Sequence, residues 1–169
     1  MNWRKIIAVV WLVAAFAGAF WIWRWMHPPP ELVIRRQLEK LSESLSAKAQ
    51  GNIARASAVN RALSVFASDI YINAEGMSRV SDSISGKTEL QQALFAAKQQ
   101  LDGDVTFVEL HVTVGPEGTN AIARFSAVAR LSGQTDPYSQ DIKAQFLKID
   151  GDWLITRVDP VNPISAPPP

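Results

Sequence analysis

Arg157 and Asp159 stand two residues apart in the segment WLITRVDPV near the end of the chain. Side chains of a β-strand alternate between its two faces, so residues two apart share a face. An arginine and a carboxylate on one face can bind a polar ligand together. If Ile149 lies opposite Asp152 across the preceding DGD turn, this face points into the fold.

A ligand pocket is therefore expected near the open end of that inward face, lined by Tyr71, Gln140, Arg157 and Asp159. Deeper on the same face, the strands carry apolar residues for the core: Phe146, Trp153 and Ile155. The alternative interpretation, which the position near a strand end favours, is that Arg157 and Asp159 are rim charges or a local ion pair.

The residue types exclude several kinds of chemistry. The chain has no cysteine, and its two histidines, His27 and His111, are far apart. Disulfides, thiolate metal sites and a cysteine nucleophile are thus excluded, and a zinc site is not expected. No phosphate-binding glycine loop and no G-x-S-x-G motif is present. Because no paired carboxylates are expected to face inward, the sequence assigns no catalytic residue, no metal and no cofactor.

The charge balance argues against nucleic acid as a partner. The chain has 17 Lys and Arg residues and 16 Asp and Glu residues, which gives a net charge of +1. Nucleic-acid binding needs a strongly basic surface. The length of 169 residues suits one globular domain with an appendage.

The appendage is predicted to be a transmembrane anchor over residues 1–26. Residues 6–23 are 18 consecutive uncharged, mostly apolar residues, and a helix of that length spans about 27 Å, close to the hydrocarbon core of a bilayer. Tryptophan is typical of membrane interfaces, and arginine reaches for headgroups. The expected interfacial residues are Trp21, Trp23, Arg24 and Trp25.

A cleaved signal peptide is the competing interpretation, because a basic MNWRK precedes the run and AGA at residues 17–19 resembles a cleavage site. The apolar run continues past AGA, which favours the anchor. Small residues let helices approach closely in lipid, so a partner helix is expected on a face formed by Ala8, Ala14, Ala15, Gly18 and Ala19. Basic residues after the span favour a cytoplasmic domain, but long domains are translocated largely regardless of charge, and a periplasmic domain is expected.

A proline spacer over residues 27–30 is predicted to separate the anchor from a domain over residues 31–161, with a flexible tail at 162–169. Ile34, Leu38, Leu41 and Leu45 recur at helical spacing, and two more helical patterns follow, one on each side of a short strand, DIYIN. After Gly103 the period changes to two, which predicts an antiparallel meander of four strands. The fold class is therefore α+β, with three N-terminal helices packed on a curved antiparallel sheet.

The outer face of that sheet is expected to bind a partner. Placing Val114 opposite Thr119 aligns apolar residues on the inner face and puts Glu109 opposite Arg124. The outer face would then be mixed in character, as interfaces are. Its expected members are Phe107, Glu109, His111, Ile122, Arg124, Val128 and Lys143, and the partner residues assigned among them are Phe107, Glu109, His111 and Arg124.

Three segments together resemble the nuclear transport factor 2-like (SnoaL-like) superfamily. They are GNIARASAVNRALSVFASDIYI with its F-A-x-D step at residues 66–69, SGKTELQQAL at the entry to the third helix, and the hairpin KIDGDWLITRVDPV. The resemblance implies a cone-shaped, cystatin-like domain around a pocket. Members include isomerases, cyclases, dehydratases and non-catalytic assembly domains, some of them anchored in bacterial envelope complexes.

The sequence thus predicts a single-pass, non-catalytic accessory or assembly subunit of a bacterial membrane or envelope complex. It would lie in the cytoplasmic (inner) membrane with its domain in the periplasm. Its partners would be the lipid bilayer and other membrane proteins or a second copy of itself. The alternative is a membrane-tethered enzyme or binding protein of the isomerase or dehydratase type, with a small, partly apolar ligand in the cone pocket.

Overall fold

The computed structural model describes residues 28–46, 51–73, 83–100, 103–131 and 136–161. Three helices lie in these ranges: α1 (Pro30–Ser46), α2 (Asn52–Leu63) and α3 (Gly86–Gln100). Six strands form one sheet: β1 (Phe66–Asn73), β2 (Ser83–Ser85), β3 (Gly103–Val114), β4 (Asn120–Leu131), β5 (Tyr138–Ile149) and β6 (Asp152–Pro160). The strand order is β2-β1-β6-β5-β4-β3, so the described domain is α+β.

The sheet is mixed, which corrects the expected all-antiparallel arrangement. Strands β3 to β6 form the predicted antiparallel meander, but β1 runs parallel to β6. The backbone N–H of Ile155 donates to the carbonyl of Val65 at the start of this pairing (2.9 Å). A parallel pair needs a long connection, and the chain from α3 to β5 supplies it.

Helix α1 packs on the sheet through the predicted apolar stripe. Ile34, Leu38 and Leu41 are buried, and Pro30 occupies the first helical position, where its missing N–H costs no hydrogen bond. In α2, Ile53 does not contribute to the core, because its side chain is 88% exposed. The helix buries Ala58, Val59, Ala62 and Leu63 instead.

Helix α1 also protects the open edge of the sheet. β3 is an edge strand, and the Ser46 hydroxyl both accepts from the Val105 N–H and donates to the Val105 carbonyl (2.8 Å each). Ser42 donates to the same carbonyl (2.7 Å). Exposed edge groups template pairing with other chains, and these serines satisfy the edge groups of Val105.

The last hairpin has the predicted register, with Ile149 opposite Asp152. Phe146, Trp153 and Ile155 are buried in the core, as expected.

The β3–β4 hairpin differs from its predicted register by two residues. Val114 lies opposite Ala121, not Thr119, and the loop closes where the Gly115 N–H donates to the Asn120 carbonyl (2.9 Å). A shift of two preserves the faces, because side chains alternate with a period of two. It places His111, not Glu109, opposite Arg124.

A bulge in β3 places one expected partner residue on the opposite face of the sheet. The register with β4 shifts between Val108 and His111, and Glu109 has a φ of 56°. The extra residue reverses the alternation, so Phe107 packs on the core, 4.7 Å from Phe125 between ring centroids. Val108 is 43% exposed instead. Phe107 therefore does not lie on the outer face.

Several predictions concern residues outside the described ranges. They are the anchor at 1–26 with its interfacial and small-residue positions, His27 of the spacer, and the tail at 162–169. Within the ranges that are described, no helix combines the length and apolarity needed to cross a membrane.

Candidate functional site

Gln140 faces the helices, alone among the four expected ligand residues. It shares its face of β5 with the buried Ala144 and Phe146, and only 5% of it is exposed. Its side-chain amide donates to the Asp141 carbonyl (3.1 Å). The inward position predicted for Gln140 is thus confirmed.

Arg157 and Asp159 point the other way, which corrects the inward position predicted for them. The β5–β6 register places Phe146 opposite Ile155 but Gln145 opposite Arg157, so Thr156 is an extra residue. Beyond this bulge the alternation is reversed. Val158 packs on the core, and its neighbours on both sides lie on the outer face of the sheet.

Tyr71 joins the pair on this outer face. It lies between Ile70 and Ile72 of β1, which belong to the core side, and it is the register partner of Arg157 on β6. The guanidinium carbon of Arg157 lies 5.0 Å from the centre of the Tyr71 ring. We call Tyr71, Arg157 and Asp159 the arginine cluster.

The arginine cluster is held by a side-on ion pair. The Nε of Arg157 donates to both carboxylate oxygens of Asp159, at 2.8 and 3.0 Å. The hydrogen bond and negative charge of Asp159 raise the pKa of the Arg157 guanidinium further above its ordinary value. An arginine that is always charged cannot transfer protons. The cluster can bind an anionic group but cannot act as an acid or base.

A row of ionisable side chains extends from the cluster across the outer face. His111 of β3 lies opposite Arg124 of β4, Arg124 opposite Lys143 of β5, and Lys143 opposite Asp159 of β6. His111 and Arg124 are exposed, as predicted. The alternation of β5 predicts Lys143 on this face, and the strand register places it beside Arg124.

Glu109 occupies a different place from the rest of the expected partner surface. At the β3 bulge, it lines a groove of about 340 Å³ between that strand and α1. Arg35 of α1 donates across the groove to the Leu110 carbonyl (3.3 Å). The groove is lined by both polar and apolar side chains and lies at the edge of the sheet, away from the arginine cluster.

On the helix side, a small cavity lies between the C-terminal parts of α1 and α3 and the start of β3. It measures about 120 Å³ and is bounded by the apolar Leu45, Leu94, Ala97 and Ala129, and Lys98 donates to the Leu45 carbonyl beside it. Ligand pockets usually measure about 300–1,000 Å³. Neither Gln140 nor the arginine cluster lines this cavity, so the expected four-residue pocket does not form.

The described residues contain no group of three or more His, Asp or Glu side chains arranged to hold a metal ion. The ion pair of Arg157 and Asp159 matches the alternative interpretation given to it from the sequence.

Comparison with known proteins identifies the fold. No family model matches the chain, and no curated protein matches it. A protein with a cystatin-like fold from Nostoc punctiforme matches with a TM-score of 0.59 and 18% identity, over 76% of this chain and 87% of that one. A nuclear transport factor 2-like protein from Pseudomonas putida matches with a TM-score of 0.63 and 14% identity, over 80% of this chain and 87% of that one.

A third structure, a putative scytalone dehydratase from Novosphingobium aromaticivorans, matches with a TM-score of 0.56 and 12% identity, over 76% of this chain and 80% of that one. At such identities the likeness establishes the fold alone. The described domain therefore has the cystatin-like, nuclear transport factor 2-like fold that the three sequence segments resemble.

Proposed function

We propose that this chain is a single-pass, membrane-anchored, non-catalytic accessory or assembly subunit of a bacterial membrane or envelope protein complex. Its domain binds a partner protein through the outer face of the sheet. The observation that carries this proposal is the separation of the candidate residues. Gln140 is buried under the helices, whereas Tyr71, Arg157 and Asp159 lie together on the opposite, outer face.

This separation supports binding over catalysis. Proton transfer requires a group of tuned pKa within reach of a substrate in a cavity. The cluster instead presents a permanently charged arginine against an aromatic ring, and arginine and tyrosine are enriched at protein interfaces. The helix side of the sheet carries the apolar core.

The membrane location rests on the apolar run at residues 6–23. We place this span in the cytoplasmic membrane with the domain in the periplasm. The small-residue face of Ala8, Ala14, Ala15, Gly18 and Ala19 would pack on a helix of another membrane protein or of a second copy. Only the short proline spacer separates span and domain, so the domain stays close to the lipid surface.

The second candidate function is a membrane-tethered enzyme or binding protein for a small, partly apolar ligand. The apolar cavity beside Leu45 and Leu94 favours it. At about 120 Å³ it has room only for a ligand smaller than the usual occupant of a pocket.

The membrane part of the proposal is tested by alkaline carbonate extraction of bacterial membranes containing the full chain. We expect the chain to resist extraction, and protease added to spheroplasts to digest its domain. Each arginine at the centre of a span costs about 3 kcal/mol, so Leu12→Arg/Phe16→Arg should release the chain, whereas the matched Leu12→Ala/Phe16→Ala should not. Extraction of the unaltered chain would refute the anchor.

The subunit part is tested by purifying the full chain from its own cells in mild detergent. We expect a complex of defined stoichiometry, from which Arg157→Ala releases the chain while Ser57→Ala, on the exposed side of α2, does not. A monomer with no stoichiometric partner would contradict the proposed function. Saturable binding of a small apolar molecule, abolished by Leu94→Trp, would favour the second candidate.

A further inference from the structure

We infer that the partner presents clustered carboxylates to a band of three cations on the outer face: Arg124, Lys143 and Arg157. We call these residues the basic band. The inference rests on the proposed function and names the chemistry of the partner protein at that site.

The strand register brings the three cations together. Arg124 lies directly opposite Lys143 on the neighbouring strand, and Arg157 lies opposite Gln145, two residues along from Lys143. Neighbouring strands are about 4.8 Å apart, so the band crosses three adjacent strands within about 10 Å. Like charges directly opposite each other destabilise a sheet.

Two acidic residues on the same face offset part of this repulsion. Asp159 is bound by Arg157 and lies opposite Lys143, and Asp141, two residues from Lys143, accepts a hydrogen bond from the Ser126 hydroxyl at 2.5 Å. Among the described residues, Arg157 and Asp159 form an ion pair. Neither Arg124 nor Lys143 takes part in it. The band and its surroundings therefore hold three cations and two carboxylates, and the remaining positive charge favours an anionic partner.

Arg157 is already oriented to receive a carboxylate. Its Nε is occupied by Asp159, and the Tyr71 ring limits the plane of the guanidinium. Both terminal nitrogens are left without an acceptor among the described residues, and the side chain is 46% exposed. A guanidinium held this way binds a carboxylate with two parallel hydrogen bonds and little further ordering.

The surroundings of the band favour a protein over a phosphate-rich surface. Val108 and Ile122 lie on the same outer face and are 43% and 38% exposed. Ile122 is two residues from Arg124, and Val108 pairs with Ser126, two residues beyond it. Exposed apolar side chains beside arginine and tyrosine are typical of protein interfaces, whereas nucleic-acid surfaces are more uniformly basic.

A second copy of this chain fits the band poorly. A twofold interface applies the same patch to itself, so a dimer whose axis passes between Arg124 and Lys143 would bring these cations against their own copies. A different protein with acidic residues removes the repulsion and pairs with Arg157 at once.

The test is site-specific photocross-linking in the cells that make the full chain, with the cross-linking amino acid replacing Ile122. The cross-linked peptide is identified by mass spectrometry. We expect a peptide of another protein that carries several Asp or Glu residues near the cross-link. We further expect Arg124→Gln/Lys143→Gln to reduce the yield at least about fivefold, because close charge pairs dominate such contacts.

The matched control is Arg36→Gln/Lys40→Gln, which removes the same charges from the exposed side of α1 and should leave the yield unchanged. The thermal midpoint of each variant in detergent shows whether it folds. A neutral or basic peptide, a second copy, a lipid, or an unchanged yield in Arg124→Gln/Lys143→Gln would each overturn the inference while leaving assembly by this face open. The absence of any cross-link to a protein would instead contradict the proposed function as well.

Discussion

The guanidinium carbon of Arg157 lies 5.0 Å above the ring of Tyr71, its register partner on the parallel neighbouring strand. The two residues are far apart in sequence and meet only because β1 joins the meander beside β6. The contact gives the charged Arg157 side chain a defined orientation on the outer face. The binding role proposed above depends on that orientation.

The Arg157–Tyr71 contact is expected to be visible by NMR of the full chain in detergent. The ring current of Tyr71 should shift the Nε–H resonance of Arg157, and the two bonds to Asp159 should slow its exchange with solvent. Tyr71→Phe keeps the ring and should retain the shift, whereas Tyr71→Leu should lose it. Equal chemical shifts in all three proteins would show that the contact is absent in solution.

The β3 bulge is tested by two neighbouring substitutions measured by urea unfolding of the full chain in detergent. Phe107 is half-buried against Phe125, so Phe107→Ala should destabilise the domain by about 3 kcal/mol, the lower end for such a change. Val108 is exposed, so Val108→Ala should change the free energy of unfolding by less than about 0.5 kcal/mol. A strand without the bulge would reverse this order.

Ser46 is predicted to contribute more to the stability of the domain than an ordinary helical serine, because its hydroxyl bonds both the N–H and the carbonyl of Val105. Ser46→Ala should cost about 1 kcal/mol and accelerate hydrogen exchange of the Val105 amide. Ser57→Ala on α2 is the control, because Ser57 is exposed there, and it should alter neither quantity appreciably. Unchanged exchange at Val105 in Ser46→Ala would contradict the proposed protection of the edge.

Position 115 is predicted to require glycine, because the Asn120 side chain occupies the space across the loop. A Cβ at Gly115 would lie 1.7 Å from Asn120 Oδ1, so Gly115→Ala should destabilise the hairpin by about 1 kcal/mol as the amide is displaced. Asn120→Ala removes the obstacle, and the double variant should recover most of the loss. Additive losses in the unfolding free energies would mean that the side chain does not cause the effect.

Much of the fold was predictable because periodic patterns carry it. The apolar stripe of α1, the period-two strands and the DGD turn each depend on neighbouring residues, and the register of the last hairpin follows from its turn. The parallel pairing of β1 with β6 was not predictable, because it joins segments far apart in sequence without a turn to fix the register.

Three of the four residues expected to face inward, Tyr71, Arg157 and Asp159, lie on the other side of the sheet. The sequence brings Arg157 and Asp159 onto one face by their spacing, and that pairing holds at 2.8 Å. The face itself was decided at Thr156, where one extra residue reverses the alternation. A bulge at Glu109 likewise places Phe107 against the core.

The sequence by itself therefore determined the helices, the meander, the core hairpin and the local ion pair, because these follow from composition and spacing within short segments. Only the tertiary structure decided which face the charged residues occupy and which cations become neighbours. A bulge has no required residue type here, since neither Glu109 nor Thr156 is glycine. The packing of whole strands sets the position of the bulge. One inserted residue moves each side chain beyond it to the opposite face of the sheet.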